Sequence, residues 1–174
     1  VTNGEPTFGY MIWNLLLAVV PLGCAVWLDK RLAHSSWLSK GNLALTALWL
    51  GFLPNSFYVV TDLIHIAEVT GRQVLFDSVM LFSFAVTGLA FGYVSVILVH
   101  RALNLRIQRR SAYRLIGLIF LVCGYAIYLG RYMRWNTWDV LINPIGLLSN
   151  VASSIASPRE GAPIIATTLL FFGF

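Results

Sequence analysis

Long apolar runs alternate with short polar connections along this chain, and the length of the runs decides how they are read. A helix of about 20 apolar residues crosses about 30 Å of hydrocarbon. The first run extends from about Phe8 to Leu28, is interrupted by Asn14 and Pro21, and stops at Asp29, Lys30 and Arg31. The second begins near Asn42 and must continue past Pro54 to about Val60, because Leu43 to Leu53 alone is too short. Pro54 is expected to kink its far end. The third run, about Val79 to Val99, is the least interrupted, and its Gly88-x-x-x-Gly92 pair lets another helix approach closely. The fourth covers about Ala112 to Leu129, and a fifth apolar run, Ala162 to Phe174, is half a span as it stands. Residues 140–161, with Pro144, Asn150, four serines and Pro158, form neither a span nor a soluble domain, so an interfacial or re-entrant segment is expected there. No internal repeat is present. The pattern predicts an all-α, polytopic transmembrane helix bundle, with residues 1–174 as one integral membrane domain of four clear spans and a truncated fifth.

Composition supports this reading. The chain is 58% hydrophobic and 11% charged, far from the roughly 25% charge of soluble domains. Its net charge of +5 raises the question of nucleic acid. The basic residues fall between the apolar runs rather than along a stripe with exposed aromatics, so no nucleic-acid partner is expected and the lipid bilayer is. Their distribution predicts orientation. Lys30, Arg31 and Lys40 lie between the first and second runs, and Arg101, Arg106, Arg109, Arg110 and Arg114 between or at the edges of the third and fourth. Arg72, Arg131, Arg134 and Arg159 oppose them. The positive-inside rule therefore places the N-terminus outside and the two richer connections in the cytoplasm. The arginine-rich third connection supplies topology and contact with anionic headgroups. Phe8 to Leu28 has no basic region before it and no small-residue cleavage site after it, so it is expected to stay as a span. Cys24 and Cys123 are isolated within apolar runs and carry no redox or metal pattern.

Two polar clusters interrupt this apolar chain. In the first, Asn55, Tyr58, Thr61, Asp62, His65 and Glu68 follow Pro54, and continued helix would put Tyr58, Asp62 and His65 on one stripe. In the second, GRYMRWNTWD at 130–139, Arg131, Arg134, Asn136 and Asp139 stand beside Trp135 and Trp138. The predicted orientation brings both to the outer face, where Asp62 and Arg131 could pair, since a guanidinium grips a carboxylate with two parallel bonds. That pair reads either as a structural lock between helices or as part of a functional pocket. Asp62 and His65, with one of Glu68, Asp77 or Asp139, are candidates for a divalent metal, because carboxylate and imidazole suit it, but the signal is slight since no second histidine follows. The tryptophans fit an interfacial aromatic belt, and Asn14 and Asn55 fit hydrogen bonds between helices. His34 and His100 have no partner in reach of His65, which argues against a bis-histidine haem. No Ser-His-Asp order and no glycine-rich phosphate loop is present. The sequence identifies no cofactor.

Three motifs carry a family resemblance: IWN at 12–14, LPN followed by Tyr58 and TDLIH at 53–65, and GRYMRWNTWD at 130–139. Together they resemble the bacterial integral-membrane domain of unknown function numbered thirteen sixty-one, over nearly the whole chain. The resemblance implies a polytopic protein of a bacterial inner, plasma or thylakoid membrane, and it names no catalytic residue. Two functional classes follow from the residues. One is an accessory or structural subunit that packs against a larger membrane complex through the third helix and its Gly88 and Gly92. The other is a membrane enzyme, carrier or metal-binding protein that uses an outward-facing polar pocket.

Overall fold

The computed structural model describes residues 9–68, 74–135, 142–156, 165–166 and 168–169, without the side chains of residues 10, 64–68, 144, 148, 152 and 154–156. No strand occurs among them. Four helices are long and apolar enough to cross a membrane, so the protein is a multi-pass helical membrane protein in contact with lipid. The chain forms two compact units, Val1–Ile107 and Gln108–Phe174.

The first unit contains α1 (Gly9–Leu32), α2 (Lys40–Tyr58), a 3₁₀ helix (Val59–Glu68) and α3 (Val74–Asn104). Each helix outruns its apolar core. Lys30 and Arg31 remain inside the last turn of α1, and Arg101 inside that of α3, where cations oppose the partial negative charge of the carbonyl end. The chain stays helical through Pro54 and only at Val59 tightens into ten residues of 3₁₀ geometry. Such runs seldom exceed a few residues.

α1 packs against α2 and α3, and the 3₁₀ helix packs against α3. Small and polar side chains set how closely these elements approach. A Cβ on Gly88 would lie 3.0 Å from the Ser56 carbonyl oxygen and 3.1 Å from Val59, and one on Gly92 would lie 3.0 Å from both Ser56 Cβ and the Phe57 ring. The Ser56 hydroxyl donates to the Ala18 carbonyl at 2.7 Å. That carbonyl is next to the one of Leu17, whose own helical partner is lost because Pro21 has no N–H. Neighbouring hydroxyls commonly support a proline-disturbed membrane helix in this way. Trp49 Nε1 donates to Ser95 Oγ at 3.1 Å, and Ser95 Oγ in turn donates to the Gly92 carbonyl at 2.7 Å. Both side chains are fully buried. Large apolar side chains such as Trp13, Trp27, Phe82 and Ile97 stay exposed, as expected where the solvent is hydrocarbon.

In the second unit α4 (Arg109–Tyr132) is the fourth long helix, and Tyr125, Tyr128 and Tyr132 form a run of ring contacts along it. A residue in the left-handed region ends it: Arg134 has φ 57°, and Trp135 N–H turns back to the Leu129 carbonyl at 3.3 Å. α5 (Pro144–Ala156) follows, opened by Asn143, whose Oδ1 accepts the Gly146 N–H at 3.0 Å. At 13 residues, about 20 Å long at 1.5 Å per residue, α5 is too short to cross the hydrocarbon. It occupies the stretch where the sequence pattern predicts an interfacial or re-entrant segment. Residues 165–166 and 168–169 are helical. The backbone at Thr168 lies against α4 so closely that a Cβ on Gly124 would come 2.8 Å from its carbonyl oxygen.

Candidate functional site

The two ends of the first unit differ in chemistry. Since the connection at 33–39 joins α1 to α2, and Arg106 reaches the Leu32 carbonyl, Lys30, Arg31, Lys40, Arg101 and Arg106 share one end. Asp62 and Asp77 belong to the other.

At the acidic end, Asp62 is 4% exposed, deep for a carboxylate. Asn14, near the start of α1, donates from Nδ2 to Asp62 Oδ2 at 3.1 Å. An ionised carboxyl in such a place needs donors, because burial without them costs several kcal/mol. Asn14 supplies one from a helix 48 residues away. Thr61, beside it, donates to the Tyr58 carbonyl at 2.7 Å within the 3₁₀ turn. Asn55 donates to the Phe52 carbonyl of its own helix at 3.2 Å, and Tyr58 is half-buried. The backbone of His65 and Glu68 continues the 3₁₀ helix, while their side chains lie outside the described residues.

In the second unit, Arg131 is half-buried in the last turn of α4 and Arg134 is exposed beyond it. Trp135 is half-buried; Asn136, Trp138 and Asp139 fall outside the described residues, as does Arg72. Among the described residues no three His, Cys, Asp or Glu side chains gather as metal ligands, a set that leaves out His65, Glu68 and Asp139.

The basic end is the better-built polar region, and its organisation is not apparent from the apolar pattern. Arg31 Nε donates to Asn42 Oδ1 at 2.9 Å. Asn42, fully buried, donates from Nδ2 to Ser35 Oγ at 2.8 Å and to the Ser36 carbonyl at 2.9 Å. Arg106 donates to the Leu32 carbonyl at 2.7 Å and to the Ala102 carbonyl at 2.9 Å. One guanidinium thus satisfies carbonyls at the ends of two helices, α1 and α3, that would otherwise lack partners. The same guanidinium lies 5.7 Å from the centre of the Trp37 ring, and Trp37 Nε1 is held by Thr46 Oγ1 at 3.1 Å. A clue was present in the sequence, since an Arg two residues past an apolar helix and a Trp in a short polar connection are both suited to capping and stacking.

No curated protein and no solved structure matches this chain. The family described as "Protein of unknown function (DUF1361)" matches residues 13–173. That span runs from Trp13 within α1 through α5 and takes in both polar clusters, leaving out only Ile12 of the quoted motifs, and the chain belongs to this family.

Proposed function

We propose that this protein is a non-catalytic membrane subunit, an accessory or structural component of a larger membrane assembly. The observation behind this reading is that the buried polar side chains of the first unit tie its own helices together: Asn14 to Asp62, Ser56 to the Ala18 carbonyl, and Trp49 to Ser95. Bonds of this kind fix helix register inside a bilayer, where apolar burial gives little preference between arrangements. The Gly88–Gly92 pair is occupied by α2 of the same chain. A partner would therefore meet the lipid-facing side of α3, where Phe82, Val86 and Ile97 are exposed. The test is purification from native membranes in mild detergent. A partner retained at fixed stoichiometry is expected, and a chain that purifies alone would overturn the reading.

A second reading rests on the burial of Asp62, because ionisable groups within membrane segments are more often functional than decorative. It takes Asp62 as the acid of an outward-facing pocket, with Tyr58, Thr61, His65 and Glu68 on its own segment. Stoichiometric divalent metal, lost in His65→Ala, would favour a metal-binding protein.

A further inference from the structure

We propose that the basic end of the first unit is a docking surface for anionic phospholipid headgroups, centred on Arg31, Lys40 and Arg101. The placement follows from the contacts. Arg31 reaches across from α1 to the first turn of α2, where a Cβ on Gly41 would meet its Nη2 at 2.7 Å, so its guanidinium lies beside the residue that follows Lys40. Arg106, two residues beyond α3, is drawn onto the last carbonyl of α1, which brings the end of α3 and Arg101 to the same place.

Charge and exposure select the occupant. Lys30, Arg31, Lys40, Arg101 and Arg106 are all exposed, and across residues 29–46 and 97–107 Asp29 is the only acidic residue. Lys30, Lys40 and Arg101 have no hydrogen bond or ion pair within the described residues, and Arg31 uses only Nε, towards Asn42. A positive surplus on the end of a membrane-spanning unit lies at headgroup level, where each Lys or Arg adds attraction to anionic lipid. Apolar side chains accompany the charges: Leu38 and Leu105, in the two connections at this end, are 79% and 78% exposed. Basic residues interleaved with exposed leucines suit a surface that meets phosphates and acyl chains together, and not one facing bulk water. Trp37, fixed by Thr46 and covered by Arg106, is the aromatic anchor expected at that depth. Arg106 holds the surface in shape, and Arg31, Lys40 and Arg101 present the free charge.

The experiment is native mass spectrometry of the full chain in detergent with added phosphatidylglycerol or phosphatidylcholine. Wild type is expected to retain phosphatidylglycerol preferentially. Lys40→Gln combined with Arg101→Gln removes two charges that make no bond in the fold and should lower that retention about fivefold per charge. Arg31→Gln should lower it likewise, while Arg31→Lys, which keeps the charge and loses the Asn42 bond, should preserve it. Because the first pair leaves the fold's own contacts intact, it decides the matter even if Arg31→Gln misfolds. Equal retention of both lipids by wild type, or unchanged phosphatidylglycerol in the Lys40→Gln, Arg101→Gln variant, would overturn the proposal. So would displacement of the lipid by inorganic phosphate, which would mark a site for free anions instead of a membrane-docking surface.

Discussion

Asn14 and Asp62 meet across 48 residues of chain, amide Nδ2 to carboxylate Oδ2 at 3.1 Å, and this bond joins the start of α1 to the 3₁₀ continuation of α2. Hydrogen bonds to charged groups contribute about 1.5–3 kcal/mol, and a buried carboxylate that loses a donor keeps its desolvation penalty. Asn14→Leu should therefore destabilise by about 2 kcal/mol, read as a lower midpoint of unfolding in mild detergent. Asn14→Leu combined with Asp62→Leu should lose less than the two single losses together, since the double change removes the carboxylate as well as the donor it lost. Strict additivity would show that the bond contributes nothing.

Gly88 and Gly92 make a prediction of opposite sign in volume. Any side chain on Gly88 enters the space of the Ser56 carbonyl and Val59, and any on Gly92 that of Ser56 and Phe57. At Gly88 the obstacle includes the Ser56 carbonyl, backbone that cannot rotate away; at Gly92 it is the buried Ser56 and Phe57 side chains. Gly88→Val should cost about 1–3 kcal/mol through overpacking, and Gly92→Val a similar amount, with larger losses for leucine. By contrast, Gly23, where an added Cβ meets nothing within 4 Å, should accept alanine without loss. A thermal-stability series in one detergent distinguishes the sites, and equal tolerance at all three would refute the packing described.

For Arg106 the prediction concerns shape and not only charge. Arg106→Lys keeps the cation but not a planar fork able to reach the Leu32 and Ala102 carbonyls together while lying over Trp37. It should destabilise by about 1–2 kcal/mol, close to the loss in Arg106→Ala. A lysine variant as stable as wild type would reduce Arg106 to a topological charge.

How much of this was legible in the sequence depends on what each feature requires. The four long helices were, because hydrocarbon thickness imposes a minimum length on any apolar run that crosses it. Their ends were not: α1 runs on through Lys30 and Arg31, and α3 begins at Val74 and continues to Asn104, since charged residues that stop an apolar run do not stop a helix. Asn14 stood out as an interhelical hydrogen-bonder and Asp62 as a residue in need of a partner, but joining them requires the register of α1 against the 3₁₀ helix, which no periodicity carries. The 3₁₀ geometry was itself unsignalled. An α-helical stripe at 100° per residue and a 3₁₀ stripe at 120° are hard to tell apart over Asp62 and His65, three residues apart. Gly88 and Gly92 were legible as a close-approach site, and only the structure shows that α2 fills it. Arg106 read as topology because its capping role depends on where α3 ends relative to α1.

Arg134 carries backbone strain that a single substitution can relieve. Its φ of 57° puts it in the left-handed region, where a non-glycine residue pays about 1–2 kcal/mol for the crowding of Cβ against its carbonyl, while glycine adopts the same conformation freely. The side chain is exposed and no hydrogen bond or ion pair within the described residues holds it in place. Arg134→Gly should therefore stabilise by about 1 kcal/mol once the greater freedom of glycine in the unfolded chain is set against the relief. Arg134→Ala, which keeps the Cβ, should leave stability nearly unchanged. Unfolding midpoints of the two variants give the answer, and a glycine variant no more stable than the alanine one would show that the turn after α4 is unstrained. The same pair separates backbone from side chain in function: if both variants lose a property that wild type has, the guanidinium is needed for it, whereas loss in the glycine variant alone would mean that the strained turn is what positions Trp135.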